Sequence, residues 1–305
     1  MKVSIIGTNG MLSVAFAKYY TSINNVWVSV YGLEAPLNYN YDKFYQVNLL
    51  KDQLDFSNLI DSNIIIYASG AGVQAALHTD AKLMYSLNVC VPIDITLKLK
   101  ELNYKGVFVS FGSYMEIGLN SDESKAFTEE EIICSTLPVT NDYGLSKRIF
   151  GRYMRDFSAD YSFYHFILPN MFSEDDMKPG TRLVPYTLQY LQDYVFGRKP
   201  QAPCFSAGLQ TRQFITLEEM IRIVDMTISK KIHSGVYNVG GGEFLSIREL
   251  IERLFAIYKV PCKDYYFGQE NRRDGDIKSL RIDGSKLLRE IGELPNSKIE
   301  EIFKV

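Results

Sequence analysis

Across its first 170 residues the chain alternates short, almost unbroken apolar runs with longer amphipathic stretches, and few folds accommodate that rhythm. A strand that is apolar on both faces must be covered on both, as in a parallel sheet flanked by helices. Val3–Ile6, Val26–Tyr31, Phe44–Asn48, Ile64–Ala68, Val107–Phe111 and Ser162–Leu168 read as such strands. Met11–Thr21, Ala81–Leu99 and Tyr143–Phe157 read as helices among them. The expectation is an α/β protein with a doubly wound parallel sheet and a smaller C-terminal α/β lobe.

After Asn170 the rhythm changes. Ser173–Arg182 is charged and carries Pro179 and Gly180, a loop signal, and Gly197–Gly208 is rich in Gly and Pro. Between them Val184–Phe196 reads as a helix, followed by a strand at Gln213–Thr216, a helix at Leu217–Ser229 and a strand at Val236–Val239. Ser246 is an N-cap with Glu249 as its capping-box partner, opening a helix to Tyr258. These boundaries give a cofactor domain over 1–170, with 212–240 returning to it, and a substrate lobe built from 171–211 and 241–305.

The formal net charge of −3, with no dense Lys/Arg run, argues against nucleic acid as a partner, because phosphate binding needs clustered positive charge. Cys90, Cys134, Cys204 and Cys262 are scattered and histidines are only three, which argues against a metal site and a disulfide framework. The apolar run after Lys2 is broken by Gly7 and Gly10 and reads as a buried strand rather than a leader. No stretch approaches the roughly 20 apolar residues of a membrane span, so the expectation is a cytoplasmic protein without a membrane partner.

Gly7-Thr8-Asn9-Gly10-Met11-Leu12-Ser13 follows the first strand and opens the first helix. Glycines at such a turn let backbone N–H groups approach a pyrophosphate, the arrangement of a Rossmann dinucleotide site. Ser13 stands where a third glycine is usual and is small enough for close packing. The second strand ends in Tyr31-Gly32 with no acid before Glu34, so the carboxylate that would repel a 2′-phosphate is missing. NADP(H) is therefore favoured over NAD(H), modestly, since no Arg or Lys replaces the acid. Asn48-Leu49 reads either as an adenine contact or as a strand-end cap. Ala68-Ser69-Gly70 follows the fourth strand, and its small residues permit close backbone approach to a ligand.

Tyr143 and Lys147 are i and i+4 on one helix face, so phenol and ammonium share one space. A nearby cation favours the phenolate, and the tyrosine is then expected to have a lowered pKa as an acid or base. The spacing alone is weak, for Tyr39 and Lys43 repeat it in a loop. Position distinguishes Tyr143, which opens the helix between the fifth and sixth strands. At the C-terminal end of the fifth strand Ser110 and Ser113 compete to bind the substrate oxygen, and either could instead satisfy loop backbone.

With these pieces in order the chain resembles the extended short-chain dehydrogenases, the NAD-dependent epimerase/dehydratase family. Besides the turn at Gly7 and Gly10 and the Tyr143/Lys147 pair, the resemblance takes in Asn88-Val89, Leu168-Pro-Asn170, Arg212-Gln-Phe-Ile, Tyr237-Asn-Val-Gly240, Arg273-Asp-Gly-Asp276 and Asp283-Gly-Ser-Lys286. It implies Tyr143 as acid/base, Lys147 on the nicotinamide ribose, and Ser113 rather than Ser110 as the third member. It also implies contacts from Asn170, Arg212 and Arg273 to a nucleotide-sugar substrate. Gly112-Ser113-x-x-Glu116-x-Gly118 is similar to a segment of nucleotide-sugar 4-ketoreductases, whereas Tyr114 and Met115 stand where 4,6-dehydratases carry Asp-Glu. The resemblance therefore implies reduction of a nucleotide-linked 4-keto-6-deoxy sugar for bacterial-type surface polysaccharide, with a 4-epimerase and a non-catalytic dinucleotide sensor as rivals. It also implies a homodimer through Ala81–Leu99 and Tyr143–Phe157, where Tyr85, Leu99 and Phe150 are apolar enough to contribute.

Overall fold

All six early apolar runs form strands in the computed structural model, which describes residues 1–72, 79–177, 182–269 and 277–303. They are β1 (Lys2–Ile6), β2 (Trp27–Gly32), β3 (Lys43–Gln46), β4 (Ile64–Tyr67), β5 (Val107–Ser113) and β6 (Ser162–Leu168). Next come β7 (Asn170–Phe172), β8 (Thr211–Thr216), β9 (Gly235–Asn238), β10 (Glu243–Ser246) and β11 (Ser279–Leu280). The helices of the first half are α1 (Met11–Thr21), α2 (Phe56–Leu59), α3 (Ala81–Tyr85), α4 (Val91–Glu101), α5 (Glu129–Ile133) and α6 (Asp142–Asp156). Those of the second half are α7 (Leu183–Val195), α8 (Leu217–Lys230), α9 (Ile247–Ile257), α10 (Ser285–Ile291) and α11 (Ile299–Ile302).

Seven strands make one sheet in the order β3-β2-β1-β4-β5-β6-β9, every pair parallel. The strand order reverses between β1 and β4, which opens a crevice at their carboxyl ends where doubly wound sheets bind ligands. One face packs Val3, Ile5 and Phe166 against Phe16 of α1, Met220 of α8 and Leu287 of α10. The other packs Ile65, Tyr67 and Phe108 against Leu99 of α4 and Phe150 of α6. Leu99 and Phe150 are thus spent on their own core and are not available to a second copy. Leu97 and Ile149 are the exposed apolar residues of those two helices, at 50% and 39%.

A second sheet has β8 at its centre. β10 runs antiparallel along one edge, and β7 and β11 run parallel along the other, on the later and earlier halves of β8. Sequence pattern alone does not reveal β7, β10 and β11, which are two to four residues long, too short to show a period. Pro169, between β6 and β7, has no N–H to give a ladder, and there the chain leaves the large sheet for the small one. Within 212–240, β8 belongs to the small sheet, α8 packs beside α1, and β9 joins the large sheet. α7 and α9 cover the small sheet with their own core, including Phe172, Phe214, Leu250 and Leu254.

The single helix expected over Ala81–Leu99 is instead broken by a wide π turn at Ser86–Cys90, closed by the Val91 N–H on the Ser86 carbonyl. Pro92 explains it: proline cannot donate to the Asn88 carbonyl four residues back, and its ring would collide with that carbonyl in a regular helix. The cysteines are free, and among the described residues no cluster of ligating side chains could hold a metal. No described helix is long and apolar enough to cross a membrane.

Leu254 is fully buried in the second core. Leu254→Ala should cost about 2–5 kcal/mol, read as a lowered denaturant midpoint. A change under about 0.5 kcal/mol would mean that this core collapses freely around the deletion.

Candidate active site

Gly7 takes a φ of 125°, where L side chains are strained, and a Cβ there would sit 2.7 Å from Ser13 Oγ and 3.0 Å from the Ser69 backbone nitrogen. Gly10 is the N-cap of α1 and offers no side chain to the first N–H groups, so this helix end is uncapped by its own sequence. Ser13 Oγ is buried beside it with no partner among the described residues. These features fit an anionic diphosphate held by backbone N–H groups.

The loop after β2 is tied down over this turn. Asn9 Nδ2 donates to the Ala35 carbonyl at 3.2 Å, Asn9 Oδ1 accepts from the Leu37 N–H at 2.9 Å, and Tyr39 OH donates to the Thr8 carbonyl at 2.7 Å. Tyr39, the chance copy of the Tyr-x-x-x-Lys spacing, is a strut. At the end of β2 a Cβ on Gly32 would meet Thr8 Cγ2 at 2.7 Å, so the Thr8 side chain fills the space a strand-end acid would need. Asn48 Oδ1 accepts from the Leu50 N–H at 3.1 Å, the local cap that one of its two readings anticipated.

Ala68-Ser69-Gly70 continues β4 and is held by Asn88 of the π turn. Asn88 Oδ1 accepts from the Ala71 N–H at 3.1 Å, while Nδ2 donates to the Ala71 carbonyl at 3.0 Å and to Ser146 Oγ at 2.9 Å. That one side chain fastens the loop after β4 to α6. A Cβ on Gly70 would lie 3.8 Å from Lys147 Nζ, and one on Gly72 3.4 Å from Tyr143 Cβ. The glycine turn, the β4 loop and the Tyr143/Lys147 pair are therefore contiguous.

Asn141 caps α6 by accepting from the Gly144 N–H at 2.9 Å, which sets Tyr143 in the first turn. Gly144 lets the helix close on the Met115 carbonyl, 2.9 Å from where its Cβ would be. Arg148 locks the facing loops with four bonds, to the carbonyls of Glu116, Ile117, Ser135 and Leu137. Lys147 Nζ donates to the Phe111 carbonyl at 2.9 Å. Ser113 ends β5 beside the Tyr143 phenol, with its Oγ accepting from the Met115 N–H at 3.3 Å, while Ser110, its competitor, is buried on His165 Nδ1 at 2.9 Å. Position on the strand decides between the serines, since residues three apart point to opposite faces.

Electrostatics depart from the sequence expectation. Burial pushes Tyr143 up to about 12, partly offset by the nearby Ser113 hydroxyl and reinforced by the Glu116 charge. Burial also pulls Lys147 down to about 8, against the Glu116 charge. Desolvation of the phenolate outweighs any lowering by the cation, and Tyr143 is held protonated near neutral pH.

Asn170 on β7 is half-buried just past the end of β6, and Arg212 on β8 is buried with Nη1 donating to the Thr211 carbonyl at 2.8 Å. Arg273 lies outside the described residues. Sequence reasoning gave no role to Arg148, Glu116 or His165. The Ser113-x-x-Glu116 capping box was visible as a pattern; the lone histidine inside the apolar run of β6 carried no signal of its partners.

Asn88→Ala would strand both Ala71 backbone groups, and should cost about 1–3 kcal/mol with faster hydrogen exchange at Ala71. Unchanged exchange there would show that the β4 loop is held by something else.

A profile of the NAD dependent epimerase/dehydratase family matches residues 3–240. The chain is 23% identical over 283 residues to the UDP-glucose 4-epimerase of Bacillus subtilis, covering 85% of this chain and 79% of that protein. Its fold is similar to the UDP-glucose 4-epimerase of Thermotoga maritima, solved with UDP-glucose, at a TM-score of 0.77, 16% identity and coverage of 99% and 96%. It is also similar to the Bordetella bronchiseptica enzyme WbmG in complex with NAD, at a TM-score of 0.74, 16% identity and coverage of 99% and 91%.

Proposed function

The chain belongs to the NAD dependent epimerase/dehydratase family, and on that premise we propose that it reduces a nucleotide-linked 4-keto-6-deoxy sugar with NAD(P)H. One arrangement carries the reading: Tyr143 opens α6 beside Ser113 at the carboxyl end of β5, where a phenol kept protonated by burial can give its proton to a carbonyl oxygen. Ser113 would share that oxygen, and Lys147, anchored on Phe111, would bind the nicotinamide ribose. A bound nicotinamide dinucleotide supplies the hydride. Dehydration is disfavoured because Tyr114 and Met115 stand where an acid pair would be needed, and Tyr114 is buried in the core.

Gly7, Thr8, Asn9, Gly10, Met11 and Leu12 would hold the dinucleotide diphosphate, with Asn48, Leu49, Ala68, Ser69 and Gly70 around the rest. Asn170, Arg212 and Arg273 would contact the sugar diphosphate, a guanidinium being suited to that by its planar donor fork. NADP(H) is preferred in this reading, since Thr8 and Gly32 leave no acid against a 2′-phosphate. No cation lies between Gly32 and Asp42 to attract one. The NADPH preference in KM should therefore stay within about tenfold, or 1.4 kcal/mol. A preference of several hundredfold either way would refute that account of the strand end.

The decisive assay offers UDP-, dTDP-, GDP- and CDP-linked 4-keto sugars with NADH and NADPH. Tyr143→Phe should lower kcat on the active substrate by about 10²–10⁴. Unchanged turnover would sink the catalytic assignment. The second reading is a 4-epimerase, favoured by the likeness to the Bacillus subtilis epimerase over 85% of this chain. NAD that stays with the purified protein, with no net NADPH consumption on any keto sugar, would establish that reading instead. Both readings carry a homodimer through α4 and α6 at Leu97 and Ile149, to be tested by solution mass.

A further inference from the structure

Ser113, Tyr143 and Lys147 leave three fully buried polar side chains beneath them without a role: Ser110, Glu116 and His165. Glu116 Oε1 accepts from the Ser113 N–H at 2.7 Å, but Oε2 is buried with no partner among the described residues. His165 stands on β6 with Nδ1 at 2.9 Å from Ser110 Oγ and its ring edge-on to Phe150. Its Nε2 is likewise buried without a partner.

The two orphaned atoms border one space, kept open by glycines. A Cβ on Gly112 would collide with Glu116 Oε1 and stand 2.8 Å from His165 Nε2. One on Gly151 of α6 would lie 2.9 Å from Glu116 Oε2 and 3.8 Å from His165 Nε2. A neutral carboxyl donates to an imidazole nitrogen, and a protonated imidazole nitrogen donates to a carboxylate. Either way a single proton shared across that space would satisfy both, and the Ser110 hydroxyl can serve either tautomer at Nδ1.

We propose that Glu116 and His165 hold one proton between them, and that Glu116, when ionised, is a positioning residue that keeps Lys147 cationic beside Tyr143. This rests on Tyr143 and Lys147 being the reacting pair. Lys147 Nζ sits on the Phe111 carbonyl, next in the chain to the Gly112 against which Glu116 Oε1 lies, and Arg148 Nε donates to the Glu116 carbonyl, so these two cations of α6 bear on Glu116, and Tyr143 feels Glu116 in turn. Arg148 is committed to carbonyls, including that of Glu116 itself. α5 presents apolar Ile132 and Ile133 on this side, its Glu129 being bonded to the Asn238 N–H and its Glu131 to Thr128. β11 brings Ser279, without charge.

Burial sets the titration on both sides, pushing Glu116 up to about 7 and His165 down to about 3. Between their ordinary values of 4.5 and 6.5, the unfolded chain carries the proton on His165 and the folded chain carries it on Glu116. The pair then binds one proton in either state and adds no slope to stability against pH in that window. With Glu116→Gln only His165 remains. The unfolded chain then binds the extra proton, and stability should fall as pH drops below 6.5 more steeply than in the wild type.

The test is the ring-nitrogen NMR of His165 across pH in the full chain, wild type and Glu116→Gln, beside pH profiles of kcat/KM. Glutamine keeps an acceptor for the Ser113 N–H while removing the charge. His165 should report a titration near 7 in the wild type and lose it in the variant. The basic limb of the profile should move down by about one pH unit, leaving roughly tenfold less activity above it. Glu116→Asp, which keeps the charge, should return the limb toward the wild type. A flat His165 signal in the wild type, or the same titration in the glutamine variant, overturns the shared proton. A uniform loss of activity without movement of the limb overturns the positioning role and leaves only a cap. Tyr143→Phe separates the two levels: unchanged turnover there fails the catalytic reading, while the His165 signal still judges the pair.

Discussion

Seven parallel strands carry apolar side chains on both faces, so helices must close over each face and the chain can turn only at the sheet's two ends. The turns at the carboxyl ends of β1, β4 and β5 supply the glycine-bearing loop, Ala68–Gly70 and Ser113. Those three loops meet because β1, β4 and β5 are neighbours in the sheet. The site thus depends on the two-sided burial of the strands before it depends on any catalytic residue.

Polar groups then lock what the apolar cores leave loose. Asn88 bridges the β4 loop to α6, and Arg148 gathers four carbonyls around the turn after β5. Both are buried, so their bonds operate in a medium where an unmade bond is costly and a made one is specific. The same low dielectric raises Tyr143 and lowers Lys147, which connects the packing of α6 to the protonation of that pair.

Local sequence can single out a residue without showing what it touches. Tyr39 has the spacing of a catalytic tyrosine and serves as a strut to Thr8. Leu99 and Phe150 look free for a partner and are filled against their own sheet, while Leu97 and Ile149 face outward. Gly32 reads as a missing acid, and the structure adds that Thr8 occupies the room an acid would take. In each case the deciding contact is with a segment distant in sequence, which periodicity cannot register.

By itself the sequence determined the parallel sheet, the order of its first six strands along the chain, the glycine turn and the pairing of Tyr143 with Lys147 on one helix face. These follow from local rules: period, cap and turn are written within a few residues of one another. Only the tertiary structure decided that Ser110 is spent on His165, that burial raises the phenol rather than lowering it, and that Glu116 and His165 border one buried space. Those outcomes turn on burial and on distances between strands and helices far apart in the chain, and desolvation is a property of the closed core rather than of any segment in it.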